Sequence, residues 1–186
     1  MNEQAVVLAN GEPPTKTLMK KLLADSPYFV CADGGANTAA RYGLKPAAIV
    51  GDMDSIQSQA LKKLRNAEVH KVVDDYSTDL EKTLAWVVEK GFHEITVAGA
   101  TGVRLDHFIG NLSALVKFSN RAVISFIDDT GEWLFVDRSK TLAIPIGTTV
   151  SLLPLSHCDG IVTKGLRWNL SRLQSQQTMH SCTIAS

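Results

Sequence analysis

Short runs of apolar and β-branched residues alternate with longer amphipathic stretches over the first two-thirds of the chain. Residues 4–9 (QAVVLA), 28–32 (YFVCA), 47–50 (AAIV), 69–73 (VHKVV) and 95–98 (ITVA) read as strands. Between them, residues 15–23, 57–65, 79–90 and 105–118 have helical spacing; in the first, Leu18, Met19, Leu22 and Leu23 share one face. Strands that are apolar almost throughout, alternating with helices, predict a parallel sheet covered on both faces. After about residue 123 the pattern changes. Residues 123–127, 133–136, 142–144, 149–153 and 160–163 read as short strands. Turn signals such as Asp129-Thr130-Gly131 and Pro145-Ile146-Gly147 separate them, with no strong helix between. This predicts a smaller, mostly antiparallel β module, ending in a polar stretch rich in Gln and Ser.

The chain has 186 residues, 45% of them apolar, enough to fill the core of one α/β domain or of two compact modules. Its 19 basic and 19 acidic side chains cancel, which removes the simplest basis for a nucleic-acid partner. A local basic pocket for a small phosphorylated ligand stays open. No apolar run approaches the roughly 20 residues that cross a bilayer. The opening Met1-Asn2-Glu3-Gln4 lacks the basic and long apolar regions of a secretion signal. A soluble cytoplasmic protein, without a membrane partner, is expected. Cys31, Cys158 and Cys182 are odd in number and far apart, so neither a disulfide framework nor a zinc site is indicated.

The chemistry concentrates after the strands, where ligands bind in open α/β sheets. The second strand leads into Asp33-Gly34-Gly35, the third into Gly51-Asp52-Met53-Asp54-Ser55, and the fourth into Asp74-Asp75 with Thr78-Asp79 close behind. Carboxylates gathered on one edge repel one another unless a cation lies among them. A hard divalent ion, Mg²⁺ above others, takes oxygen ligands and bridges to phosphate. Each segment also has a plain structural reading. Asp33-Gly34-Gly35 serves equally as a tight turn before a helix, and Asp54 or Ser55 as a helix cap. Thr78 and Glu81 have capping-box spacing, and Asp79 and Lys82 are placed to pair one helical turn apart.

The fifth strand leads into Gly99-Ala100-Thr101-Gly102-Val103-Arg104-Leu105-Asp106-His107. A glycine-rich turn ahead of a helix lets backbone N–H groups approach a phosphate, and the Arg104 fork suits phosphate oxygens. The spacing is not that of a P-loop, and GxGxxG is missing after the first strand, which argues against a dinucleotide oxidoreductase. Arg104, His107 and Asn111 share one helical face, with His107 serving either the site or its own helix.

Together, these four segments with Ala36-Asn37 and Ser77-Thr78-Asp79-Leu80-Glu81-Lys82 resemble the thiamine pyrophosphokinase family, and the likeness runs on to Gly165-Leu166-Arg167-Trp168. The resemblance implies an α/β fold: a parallel-sheet, Rossmann-like catalytic domain over residues 1–125, then a smaller β-sandwich over 126–186. It implies a Mg-dependent transferase that moves the diphosphate of ATP onto the hydroxyl of thiamine and releases AMP, acting as a homodimer with thiamine where subunits meet. A transferase using another small alcohol, or a sensor without turnover, is the competing reading. The resemblance implies Mg²⁺ at Asp52, Asp54 and Asp79, with Lys82 and Arg104 assisting catalysis. Asp33, Gly34, Gly35, Asp74, Thr101, Gly102, Arg104 and His107 would face ATP, while Asp106 and Asn111 would hold loop and helix together. Trp168 would stack on the thiamine rings or, alternatively, fill the sandwich core. Relatives continue with closing strands where residues from Ser171 onward match poorly, so an incomplete sandwich is expected.

Overall fold

The computed structural model describes residues 4–25, 27–102, 104–171 and 178–185. Val103 of the glycine-rich motif, residues 172–177 of the polar stretch and the thiol of Cys182 lie outside that description. Two compact units are present, Met1–Gly131 and Glu132–Ser186.

The first unit alternates strand and helix throughout: β1 (Gln4–Leu8), α1 (Lys16–Leu22), β2 (Tyr28–Ala32), α2 (Gly35–Tyr42), β3 (Ala48–Gly51), α3 (Ser58–Lys63), β4 (Glu68–Lys71), α4 (Asp79–Glu89), β5 (Glu94–Ala98), α5 (Leu105–Phe118) and β6 (Val123–Ile127). The strands lie in the order β4-β3-β2-β1-β5-β6, and every neighbouring pair is parallel. The chain steps outward from β1 to β4, and α4 then carries it back to the other side of β1. The strand order therefore reverses between β1 and β5, which fixes the carboxyl ends of the strands as the place to look for a ligand.

On one face Val6, Leu8, Phe29, Cys31 and Ile49 pack with Met19, Ala36, Ala39, Ala40, Ala60 and Leu64. The pleat turns Val7, Val30, Val50 and Val97 to the other face, where they are fully buried and α4 crosses β2 and β3. α4 begins as its sequence predicts, with the Thr78 hydroxyl accepting from the Glu81 N–H at 3.2 Å. α2 has no such signature, and periodicity alone does not mark it. Its position is set by small residues: a Cβ on Gly35 would lie 2.1 Å from the Leu8 carbonyl oxygen, so only glycine lets the helix start against β1.

β6 corrects the sequence reading. Residues 123–127 were expected to open the antiparallel module; instead they pair in parallel with β5, Glu94 opposite Val123. The reason is the helix ahead of them, since β5, α5 and β6 form one crossover unit. β4 lies at the sheet edge and is exposed at all four positions, with Glu68, His70 and Lys71 guarding it.

The second unit contains β7 (Glu132–Val136), β8 (Ser151–His157) and β9 (Thr178–Ala185) in one antiparallel sheet ordered β7-β9-β8. The central strand thus comes from the tail that looked merely polar. A strand hydrogen-bonded on both sides is held by its ladder and needs no strong apolar alternation to declare it. Residues 142–144 form no strand, and 160–163 reduce to a single bridge at Ile161. Beyond it, Thr163 accepts from the Leu170 N–H at 2.7 Å and donates its own N–H to the Leu170 carbonyl at 3.0 Å.

Candidate active site

The carboxyl ends of β2 and β3 carry the sharpest departure from ordinary packing. Asp33 follows β2 directly and is completely buried, with φ of 37° in the left-handed region. Its Oδ2 accepts from the Ser55 N–H at 3.2 Å, while its Oδ1 has no hydrogen-bond partner among the described residues. Burial raises the Asp33 carboxyl above its ordinary value, and the negative charge of Asp79 adds to that rise. Met53, between Asp52 and Asp54, has φ of 71°, so the two loops that meet here are both held in unfavourable backbone.

One carboxylate oxygen from each of Asp33, Asp52 and Asp54 falls within 4.8 Å of the others. Asp79 stands beside them: a Cβ on Gly51 would lie 2.7 Å from the Asp33 Cβ and 3.2 Å from Asp79 Oδ1. Lys82 reaches in from the first turn of α4, 6% exposed, and its Nζ lies 2.9 Å from Asp52 Oδ2 and 3.2 Å from Asp79 Oδ1. Burial pushes Lys82 down, but its bonds to Asp52 and Asp79 outweigh this and hold it above the ordinary lysine value. The Lys82 hydrogen bond in turn lowers Asp52. Four carboxylates therefore gather around one ammonium that pairs with two of them, Asp52 and Asp79, and the negative excess with an orphaned buried oxygen suits a hard cation with oxygen ligands. Of the three ligands expected from sequence, Asp52 and Asp54 belong to the tight trio; its third member is Asp33, and Asp79 is turned to Lys82.

Several supports were not anticipated. Asn37 of α2 spans the β3–α3 loop, donating to the Ser55 carbonyl and accepting from the Gln57 N–H, both at 2.9 Å. The Ser55 hydroxyl donates to Asp54 Oδ1 at 2.8 Å. Asn37 was legible only as part of a motif, because its role depends on a loop eighteen residues away.

The other expected residues divide. Gly34 lies under the Asn10 amide, and Gly35 against β1. Asp74 closes its own turn, accepting from the Ser77 hydroxyl and, at 3.0 Å, from the Tyr76 N–H. The Ser77 bond holds its carboxyl below the ordinary value. Asp74 and Lys82 line the same cleft of about 610 Å³. The glycine-rich loop is packed closely on its neighbour. Its close approach is to the β1 loop, since a Cβ on Gly102 would lie 2.9 Å from the Glu12 nitrogen. Gly11 N–H donates to the Gly99 carbonyl at 2.8 Å and Glu12 N–H to the Thr101 carbonyl at 2.7 Å.

Arg104 and His107 are exposed at the start of α5. The Arg104 fork engages Asp106 with two of its three nitrogens, Nη2 and, at 3.2 Å, Nε, and this pairing lowers the Asp106 carboxyl to about 2. Asn111 ties helix to loop as expected, donating to the Ala100 carbonyl at 2.7 Å. In the second unit Trp168 is 76% exposed, which overturns its core reading, and the Arg167 guanidinium lies 4.6 Å from its ring centre.

A further pair of carboxylates sits at the end of β6. Asp128 Oδ2 accepts from the Thr101 hydroxyl at 3.0 Å, and its Oδ1 takes the Thr130 N–H, Thr130 hydroxyl and Gly131 N–H. Burial would raise its carboxyl, but these donors outweigh burial and lower it. Asp129 accepts from the Thr15 N–H and hydroxyl, at 2.7 and 2.6 Å. Sequence reading took Asp129 for a turn signal only.

Comparison with known proteins places this geometry. The family model "Thiamin pyrophosphokinase, catalytic domain" matches residues 19–127, and "Thiamin pyrophosphokinase, vitamin B1 binding domain" matches 136–183. The second match reaches into the stretch from Ser171 that was expected to depart. Among curated proteins, thiamine pyrophosphokinase 1 of Oryza sativa subsp. japonica is 34% identical over 89% of this chain and 73% of its own. Thiamin pyrophosphokinase 1 of Caenorhabditis elegans is 28% identical over 88% of this chain and 73% of its own. Among solved structures, thiamin pyrophosphokinase from Geobacillus thermodenitrificans superposes with a TM-score of 0.80 at 23% identity, covering 98% of this chain and 92% of that one.

Proposed function

Because the chain belongs to the thiamin pyrophosphokinase family, we infer that it transfers the diphosphate group of ATP to the hydroxyl of thiamine, giving thiamine diphosphate and AMP. The observation that carries this reading is the convergence of Asp33, Asp52, Asp54 and Asp79, from three separate segments, around the buried Lys82. Asp33, Asp52 and Asp54 are the residues proposed to hold Mg²⁺, and the orphaned Oδ1 of Asp33 supports that fit. Bound there, the cation supplies Lewis-acid neutralisation of the phosphate oxygens.

The chain's own residues do the rest. Lys82 fixes Asp52 and Asp79 in one arrangement before substrate arrives, so no reorganisation is needed during transfer. Arg104, released from Asp106, offers a bidentate fork to phosphate. Asp79 is the carboxylate proposed to accept the thiamine hydroxyl proton; in a loose transition state a weak base suffices. Trp168 offers an exposed ring to the cationic thiazolium and flat pyrimidine of thiamine.

A homodimer is part of the same proposal. It is supported by Leu105 and Ile109, apolar and exposed one turn apart on α5, and light scattering on the purified chain tests it. A cytoplasmic location is part of the same proposal, and the buried, unoxidised thiol of Cys31 suits a reducing compartment; among the described residues no helix is long and apolar enough to cross a membrane. The decisive experiment incubates the chain with ATP, Mg²⁺ and thiamine and measures AMP and thiamine diphosphate. Both products in equal amounts support the reading. AMP only with a different alcohol, or tight ATP binding without AMP, overturns it.

A further inference from the structure

Residues 99–102, between β5 and Arg104, carry two glycines, Gly99 and Gly102, with φ of 70° and 155°, so little in this stretch of backbone fixes it. Three kinds of tether hold it. Main-chain bonds from Gly11 and Glu12 reach Gly99 and Thr101. Asn111 holds Ala100, but Asn111 belongs to α5 and moves with the element that the loop precedes. The Thr101 hydroxyl reaches Asp128, just beyond β6, at 3.0 Å, a side-chain bond from this loop to the end of the sheet.

Asp128 has more capacity than its own turn needs. Its Oδ1 alone serves the Thr130 and Gly131 donors. The second oxygen is thereby left for a residue 27 positions earlier, and Thr101 and Asp128 are both half-buried, where such a bond is worth more than in open water. Neighbouring Asp129 ties the start of α1, and so the far end of the β1 loop, to the same strand end. The β1 and β5 loops are thus bonded to each other and separately to β6.

We propose that the Thr101–Asp128 bond is a clasp that sets residues 99–102, ahead of Arg104, for the phosphate chain of ATP, making Asp128 a positioning residue for the transfer. This inference rests on the functional reading above. Asp128 touches no substrate; it acts through Thr101.

Thr101→Val removes the hydroxyl at nearly constant volume and leaves the Asp128 turn whole. The expected result is a rise of roughly tenfold in KM and calorimetric Kd for ATP, with KM for thiamine unchanged. Thr101→Ser restores both constants. Asp128→Asn stays near wild type, because the amide oxygen serves the turn and its NH₂ donates to the Thr101 hydroxyl; Asp128→Ala reproduces the Thr101→Val defect. Wild-type ATP constants in Thr101→Val overturn the clasp, as does an equal change in the ATP and thiamine constants. A defect that Thr101→Ser fails to rescue overturns it too. ATP calorimetry separates this failure from that of the functional reading: a wild type that binds ATP but releases no AMP refutes the reading alone, and the Kd comparison still decides the clasp. A wild type that binds no ATP refutes both.

Discussion

Two corners of the same sheet edge are built from aspartates, and they treat them in opposite ways. At the end of β6, Asp128 and Asp129 receive donors on all four oxygens. At the ends of β2 and β3, Asp33 is fully buried with one oxygen unpartnered, and Asp52 and Asp79 share a single ammonium. A buried polar group without a partner costs about 1–3 kcal/mol, so the second corner lowers stability where the first raises it. The β6 corner holds loops in place. The β2/β3 corner keeps its capacity for something that arrives later, a common compromise at functional sites.

The largest effect should come from the corner that is left unsatisfied. Asp54→Asn is expected to cut Mg²⁺-dependent AMP formation by about 10³-fold, the scale of losing charge stabilisation at a transferring phosphate. Asp54 is exposed, so the melting temperature should hardly move. A folded Asp54→Asn protein with normal turnover would erase the functional half of the contrast. Lys82→Met comes next and acts on stability. Removing one partner of a fully buried pair costs about 3–5 kcal/mol. Asp52 and Asp79 keep 34% and 32% of their side chains exposed, so about 2–3 kcal/mol is expected here, read by urea unfolding in EDTA. Mg²⁺ should recover more stability in this variant than in wild type. Unchanged unfolding would mean that the ammonium is not what reconciles these carboxylates.

Much of this contrast lay in the letters, and the rest did not for identifiable reasons. Near-continuous apolar strands followed by Asp33, Asp52 and Asp74 placed the acidic segments correctly at strand ends, because the period of a buried parallel strand and the residues that stop it are both local. Thr78 as the cap of α4 was equally local. α2 was not, since Gly35, Asn37 and Thr38 dilute its helix-forming alanines and its buried residues are too small to show an apolar stripe, being there to fit against β1. The membership of Asp33 in the tight trio depends on which oxygen is left without a donor, a fact of tertiary packing. Asp129 read only as a turn signal because its partner Thr15 lies 114 residues away, and Asp128 carried no signal because its second oxygen is used 27 residues away.

Asp33→Asn probes the contrast at its centre and should raise stability. The amide keeps the shape, accepts from Ser55 N–H and no longer places a charge in the interior. The sign follows from the raised folded value of Asp33: the folded state holds its proton more tightly than the unfolded chain. Wild-type stability from this group is therefore lost as pH rises from the ordinary carboxyl value, about 3.9, through the raised one. In EDTA at pH 7, Asp33→Asn should be more stable than wild type by about 1 kcal/mol, and the two should converge near pH 3. The variant should also gain less from Mg²⁺. A lower melting temperature than wild type at pH 7 in EDTA would show that the buried carboxylate is already satisfied.

The smallest effect belongs to the satisfied corner. Thr15 caps α1, its hydroxyl accepting from Leu18 N–H at 3.2 Å while donating to Asp129. Thr15→Ala deletes both bonds and leaves the backbone bond to Asp129 Oδ2. Loss of a helix cap costs about 1 kcal/mol, and because Thr15 and Asp129 are exposed, water can replace the partners lost. Urea unfolding should report that loss, while kcat and both KM values stay at wild-type levels, since the arm through Asp129 holds α1 and not the loop before Arg104. Thr101→Val should do the reverse, with a small change in stability and a large one in ATP affinity. If Thr15→Ala weakens ATP binding as much as Thr101→Val does, the two carboxylates of β6 act as one rigid block, and the division of labour between Asp128 and Asp129 is lost.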